Sequence, residues 1–310
     1  MSVVEKVTRK SMIIRPSGRS TDYIAPSFGH GCLYNCTYCY MKRHKPEGLS
    51  VAKNTMDILT EINSHAWFAD VEKPNQTGDL ITYDISCNED FALHAKYHEW
   101  EKIFEFFRDH PLAMGSFATK YVNHDLLKFN PEGKIRVRFS LMPEIWRKVL
   151  EPNTSSLDER LNAVYLFLRA GYEVHLNFSP VIVHDNWLVE YEFLFYIINR
   201  HSTFNKWNTD NVKAEVIFLT HNEEKHKYNL ANKLPGEELL WVPKIQEGKV
   251  SQYGGKNLRY EHNRKADYIK QFVKIHDEII PWNTIRYCFT FLLLFSNSLY
   301  SKSSSNVSMI

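Results

Sequence analysis

This sequence spends little on cysteine, on net charge or on long apolar stretches. Five cysteines in 310 residues are too few for a disulfide-stapled secreted scaffold and suit a reducing interior. A formal net charge of +2 creates no long-range basic field, although it leaves room for a local basic patch. No stretch approaches the roughly 18–20 apolar residues that a membrane span needs. The longest apolar run, residues 288–295, is too short. Residues 1–20 are basic and polar and lack the apolar segment of a secretory signal, so the expected location is the cytoplasm. No internal repeat is found. The chain is long enough for one large core, and single-domain α/β barrels commonly have this length.

Against that background, three cysteines fall within eight residues, in Gly29-His30-Gly31-Cys32-Leu33-Tyr34-Asn35-Cys36-Thr37-Tyr38-Cys39-Tyr40. Thiolates spaced C-x3-C-x2-C on one loop can converge on a single inorganic core. Iron–sulfur clusters are usually held by four such thiolates, so a trio leaves one iron open to another ligand. A structural zinc site is a second reading, with His30 or His44 as fourth ligand. A disulfide within the trio is a third, disfavoured by the cysteine count.

Hydrophobic periodicity places strands and helices in alternation. Strands are expected at residues 23–28, 80–86, 117–121, 134–141, 173–178 and 212–219. Helices are expected at 54–70, from 88 to 107, weakly at 125–129, from 153–158 to a stop at Gly171, at 187–200, and after 219. Ser156 and its neighbours supply capping residues, and Gly171 a stop. Six strands alternating with helices imply parallel βα units, and chemistry then collects at the C-terminal ends of the strands. Cys87, Lys120 and Ser140 fall at or just after such ends. Beyond residue 239 the pattern changes to a glycine-bearing hairpin at 243–264, a helix at 263–279 and a closing strand at 280–287. Four segments follow: a basic arm at 1–19 expected to be loose, a barrel at 20–238, an extension at 239–287 and an atypical Ser-rich tail at 288–310.

The cysteine loop resembles that of radical S-adenosylmethionine (SAM) enzymes, in which the residue before the third cysteine is usually aromatic, as Tyr38 is. More of the chain follows suit. Phe117-Ala-Thr-Lys120, Arg138-Phe-Ser140, Glu151-Pro-Asn-Thr154 with Asp158 and Arg160, and Ser179-Pro-Val-Ile182 follow the loop in order. This series, over about residues 20–287, resembles the spore photoproduct lyase family of radical SAM proteins.

The resemblance implies a partial (β/α)6 TIM-like barrel and a [4Fe–4S] cluster on Cys32, Cys36 and Cys39, with SAM on the open iron. It further implies a 5′-deoxyadenosyl radical that reverses a thymine photoproduct in DNA. Cys87 matches the family's hydrogen-atom donor, and Tyr38 and Tyr40 its radical relay. Lys120, Ser140, Tyr38 and Ser86 match SAM-contacting positions, although the usual Gly-Gly-Glu after the second strand is absent and Ser86 stands in its place. Lys244, Lys249, Tyr253, Lys256, Arg259, Tyr260, Arg264 and Lys265 interleave basic and aromatic residues, as a DNA-binding hairpin would. Arg259 and Tyr260 are its expected wedge. Lys42, Arg43, His44 and Lys45 read better as a solvated charge run. The implied partners are DNA and an electron donor such as flavodoxin or ferredoxin, with the chain itself a monomer outside the membrane. Two alternatives stand beside this reading. One is a related radical SAM enzyme acting on another nucleic acid or a small molecule. The other is a zinc-stabilised nucleic-acid-binding module.

Overall fold

The six expected strands form one continuous parallel ladder. They are Tyr23–Ile24, Ile81–Asp84, Ala113–Thr119, Ile135–Ser140, Glu173–Val181 and Val212–Phe218, paired in that order. The computed structural model describes residues 4–17, 20–68, 78–250 and 254–288, so the tail at 289–310 and Tyr253 lie outside the described residues. Thr284–Cys288 adds a seventh parallel strand beside Val212–Phe218, and Arg15–Pro16 pairs antiparallel at the opposite edge.

The strand Ile135–Ser140 alternates charged and apolar residues, a pattern that ordinarily gives a strand one wet face. Here all six residues are buried. Arg138 reaches over the intervening strand to Asp84 at 2.8 Å and lies 3.7 Å from Glu215, while Arg136 holds Glu173 at 2.8 Å. The sheet is curled, and its concave face is a lumen of paired charges. Buried charges are tolerated only when paired in this way. Val137 and Phe139 point the other way, where Phe139 meets Phe167 of the helix Leu157–Arg169. That helix opens with a complete Ser156–Glu159 capping box. It ends before Gly171 at φ +91°, where an added Cβ would overlap the Asn130 side chain.

Several boundaries differ from expectation. The arm is not loose: Val4–Val7 pairs parallel with Leu49–Ala52, which pairs antiparallel with Gly29–Gly31 in a small separate sheet. Arg9 ties this sheet further by donating to the Ser50 carbonyl at 2.9 Å. The expected strand 23–28 is therefore cut short at Tyr23–Ile24, and the chain enters the small sheet only at Gly29. The helix expected from 88 to 107 breaks into Phe91–His94 and Trp100–Asp109, and the helix Glu144–Leu150 was not expected.

The extension at 239–287 does not stand apart from the barrel. The helix His262–Ile279 packs on Trp187–Phe204, with Phe272 fully buried against Phe178, Tyr191 and Phe195. Only the hairpin Gln246–Val250 and Lys256–Tyr260, joined by Thr220–Asn222, forms its own three-stranded sheet. Among the described residues no helix is long and apolar enough to cross a membrane.

Candidate active site at the cysteine loop

Cys32 and Cys36 are buried and Cys39 is half-buried, packed among Tyr34, Tyr38, Leu93 and Tyr121. Burial pushes the Cys32 thiol up to about 12, with Asp90 adding to it, and lifts Cys36 well above its ordinary value. Metal binding must therefore expel protons from these thiols, and the binding free energy is correspondingly coupled to pH. Thiolates sharing one zinc at about 2.3 Å lie under about 4 Å from one another. Among the described residues, the only set of three or more candidate ligand atoms lying within 4.8 Å of one another is His221, His226 and Glu237. The three cysteines form no such set in this structure, and a closed structural zinc site needs four ligands. A larger inorganic core fits the donor set.

The loop is braced from three sides. On one side, the polar run Ser86-Cys87-Asn88-Glu89-Asp90 after the second barrel strand turns towards it. Glu89 accepts from His94 Nδ1 and His98 Nε2, each at 2.9 Å, and His94 Nε2 in turn accepts the Leu33 amide at 3.3 Å. Burial opposes the Glu89 charge, but the two imidazoles prevail and hold its carboxyl down at about 2. Gly29 leaves the space this carboxylate occupies; a Cβ there would sit 2.2 Å from it. The Asn88 carbonyl also accepts the Gly31 amide at 3.1 Å.

On the second side lies the Glu151-Pro-Asn-Thr154 motif. Arg160 is almost wholly buried and donates to Glu151, Thr154 and the Ser140 carbonyl at 2.7–2.8 Å. Glu151 accepts the Tyr38 hydroxyl, and the Leu150 carbonyl accepts the Thr37 amide at 2.9 Å. On the third side is Glu223–Ala231, whose Asn229 donates to the Thr37 carbonyl at 2.9 Å and to Glu237. His221 and His226 also contact Glu237. In this trio, which could hold an ion, Glu237 is already engaged by both imidazoles, so the three residues form a hydrogen-bonded brace. Lys42, read as part of a solvated run, is buried instead and donates to the Cys32 carbonyl at 2.7 Å. A loop that presents its own carbonyls inward needs such a donor.

The expected site residues fall into three groups. Lys120 faces the loop with its ammonium 5.6 Å from the Tyr38 ring centre. Burial works against its charge, but Glu151, Cys36 and Asp90 outweigh it and raise its pKa. The Asp90 carboxylate accepts the Lys120 amide at 2.8 Å and the Thr119 hydroxyl at 2.6 Å, fixing the strand end. Cys87 is half-buried at the end of the second strand, and Tyr40 donates to its carbonyl at 3.0 Å. Two residues 47 apart in sequence are therefore brought together.

The second group is held in place by framework contacts. The Ser86 hydroxyl accepts the Ala118 amide at 3.3 Å, and the Ser140 hydroxyl accepts from Asn177 at 3.2 Å. Tyr38 is tied to Glu151 rather than to Cys87. The third group is the wedge, where expectation fails. Arg259 is half-exposed and pairs with Glu247 at 2.8 Å. Tyr260 is 1% exposed, packed against Phe218 and Tyr268, and its hydroxyl accepts the Val183 amide at 2.7 Å. Neighbouring residues in a strand point to opposite faces, so Arg259 and Tyr260 cannot both present to DNA.

Reasoning from sequence missed Glu89, His94 and His98, and Asn229 with Glu237. The polar character of residues 86–90 was the available signal for the first set; nothing local marked the second.

A model of the spore photoproduct lyase family matches residues 2–290. The chain belongs to the spore photoproduct lyase family. Spore photoproduct lyase of Bacillus subtilis (strain 168) is 30% identical over 192 residues, which cover 60% of this chain and 54% of that protein. The match thus spans about half the length of that relative. Spore photoproduct lyase of Clostridium acetobutylicum is 25% identical over 271 residues, 85% of this chain and 75% of that one. Among solved structures, a spore photoproduct lyase complexed with dinucleoside spore photoproduct superposes with a TM-score of 0.81 at 22% identity, covering 92% of this chain and 82% of the other. A mutant with bound AdoMet and dinucleoside spore photoproduct superposes equally well. The partial TIM-like barrel of the spore photoproduct lyases is accordingly the fold of this chain.

Proposed function

We propose that this member of the spore photoproduct lyase family is a radical SAM lyase that reverses a thymine photoproduct in DNA, using a [4Fe–4S] cluster on Cys32, Cys36 and Cys39. When bound, the cluster and SAM supply reductive cleavage of the sulfonium and, from it, a carbon radical that abstracts hydrogen from the substrate. The protein's own residues do the rest. Lys120 offers a cation to the SAM carboxylate, a charge-assisted contact stronger than a neutral one. Asp90 and the Glu151–Arg160 pair hold that lysine and Tyr38 against the loop. The S–H bond of Cys87 is weaker than most C–H bonds, so it can return a hydrogen atom to the product radical. Tyr40, in the cysteine loop and hydrogen-bonded to the Cys87 backbone, can return a hydrogen atom to that thiol.

The single observation that carries the lyase reading is the Tyr40–Cys87 contact. It brings the Tyr40 hydroxyl to the backbone of Cys87 across 47 residues of sequence, which supports a relay between that phenol and the Cys87 thiol. The DNA would approach over the hairpin, where Lys256 and Arg259 are accessible cations, and an external one-electron donor would feed the site. Anaerobic reconstitution with iron and sulfide, followed by reductant, SAM and the spore photoproduct dinucleotide, tests the proposal. Repaired thymine dinucleotide is the expected product. Cleavage of SAM without repair would overturn the lyase assignment while leaving the fold in place.

A further inference from the structure

Lys225 is the one lysine among the described residues whose ammonium is buried with no hydrogen-bond partner. The residue is 0% exposed, and its nitrogen lies 4.7 Å from the centre of the Tyr228 ring. It sits on the helix Glu223–Ala231, one turn before Asn229, which is equally buried and donates to the Thr37 carbonyl inside the cysteine loop. Residues four apart share a helix face, so Lys225 faces the same loop. The helix also packs on Met41–His44, the short helix that leaves the third cysteine.

The titratable groups that face Lys225 are Cys39, Glu237, Lys42 and Cys36. Glu237 is already occupied by His221, His226 and Asn229, and Lys42 is spent on the Cys32 carbonyl. Burial lowers the Lys225 pKa, with the cysteines and Glu237 opposing that effect. A bare ammonium in such a place is costly unless a negative charge accompanies it.

We infer that Lys225 is a positioning residue for the cluster: its buried ammonium lies behind Cys36 and Cys39 to stabilise the extra negative charge the cluster takes up on reduction. The potentials of iron–sulfur clusters respond to nearby charge, hydrogen bonding and solvent exposure. A cation fixed in a dry pocket therefore makes the cluster easier to reduce. The inference deepens the proposed function and rests on the cluster assigned there.

The test is a redox titration of the reconstituted full-length protein, followed by EPR, with iron content measured on the same samples. Lys225→Met removes the charge and keeps the length. Lys227→Met removes the same charge from the exposed side of the same helix, where Lys227 pairs with Glu223 and Glu224. Lys225→Met is expected to bind wild-type iron. At a fixed potential its ratio of reduced to oxidised cluster should fall about tenfold, a downward shift of about 59 mV for a one-electron couple. Lys227→Met should titrate like wild type, and Lys225→Arg should recover most of the shift.

A purely structural lysine would leave the potential alone. An unchanged midpoint in Lys225→Met overturns the inference, as does an equal shift in Lys227→Met. Should Lys225→Met not fold, Lys225→Gln is judged by the same criterion. Wild-type protein that binds no iron removes the cluster and the inference together. A wild type that binds the cluster while Lys225→Met leaves its potential unchanged removes the inference alone.

Discussion

The cysteine loop and the C-terminal hairpin were both singled out by local sequence pattern, yet they fared differently. In the loop, Cys32, Cys36 and Cys39 lie in one small cluster, and Tyr40 reaches the Cys87 backbone. In the hairpin, Arg259 lies on an accessible face while its neighbour Tyr260 is sealed in the core. The loop's chemistry depends on residues only a few positions apart and on a turn that lets their side chains converge. The hairpin's chemistry depends on which face each strand residue takes. That is decided by Val183, Phe218 and Tyr268, partners brought in from other elements.

The contrast can be broken most forcefully at the loop. Cys36→Ala should reduce iron content after anaerobic reconstitution to background and abolish SAM cleavage, because two thiolates are too few to hold the cluster. Retention of a full iron complement would show that a different donor set holds the cluster.

Tyr260→Ala comes next and acts on stability. Removing a buried aromatic of this size costs about 3–5 kcal/mol, and it leaves the Val183 amide unsatisfied. Urea unfolding should register that loss, whereas Tyr260→Phe should lose only about 1 kcal/mol, the worth of one hydrogen bond. A Tyr260→Ala protein as stable as wild type but defective in DNA binding would restore the wedge.

Cys87→Ala sharpens the functional half of the comparison. Substrate should still be consumed, but products should shift from clean thymine to misquenched adducts when resolved by chromatography. An unchanged product distribution would return Cys87 to a packing role.

A subtler effect concerns acid. Glu89 titrates near 2 in the folded chain, against about 4.3 when unfolded. A depressed carboxyl stabilises the fold fully above its unfolded value and loses that contribution as pH falls towards the folded one. Wild-type stability should therefore decline between about pH 4.5 and 2 more steeply than that of Glu89→Gln, measured by urea unfolding at each pH. Parallel curves would remove Glu89 from the brace.

Smallest of all is Arg259→Ala. Its exposed pair with Glu247 is worth at most about 1 kcal/mol, so stability should barely change. Affinity for photoproduct-containing DNA should weaken and become less salt-dependent.

Much of the barrel was legible because the longer parallel strands carry apolar residues at alternate positions, and helices such as Leu157–Arg169 carry their own caps. The unread parts depend on distant partners. Val4–Val7 has two charged residues in four and becomes a strand only because Leu49–Ala52 lies beside it. Residues 280–287 were read as a closing strand; the strand is Thr284–Cys288, beside Val212–Phe218, and Ile280 is instead buried in the core with Phe272. The Arg136 and Arg138 alternation looked like a wet face and proved to line a lumen, because their counter-charges Asp84, Glu173 and Glu215 come from three other strands. The positions of Lys120 and Cys87 just beyond strand ends could be read from sequence alone. The Asn229–Glu237 brace could not, since its contact with Thr37 spans 192 residues.

The account stands most directly on what the three thiolates hold. An anaerobically reconstituted, reduced sample examined by iron analysis and EPR before and after adding SAM decides it. About four irons per chain, with a spectrum that changes when SAM binds, is the predicted result. A protein without iron, or a reduced cluster whose spectrum is indifferent to SAM, contradicts it.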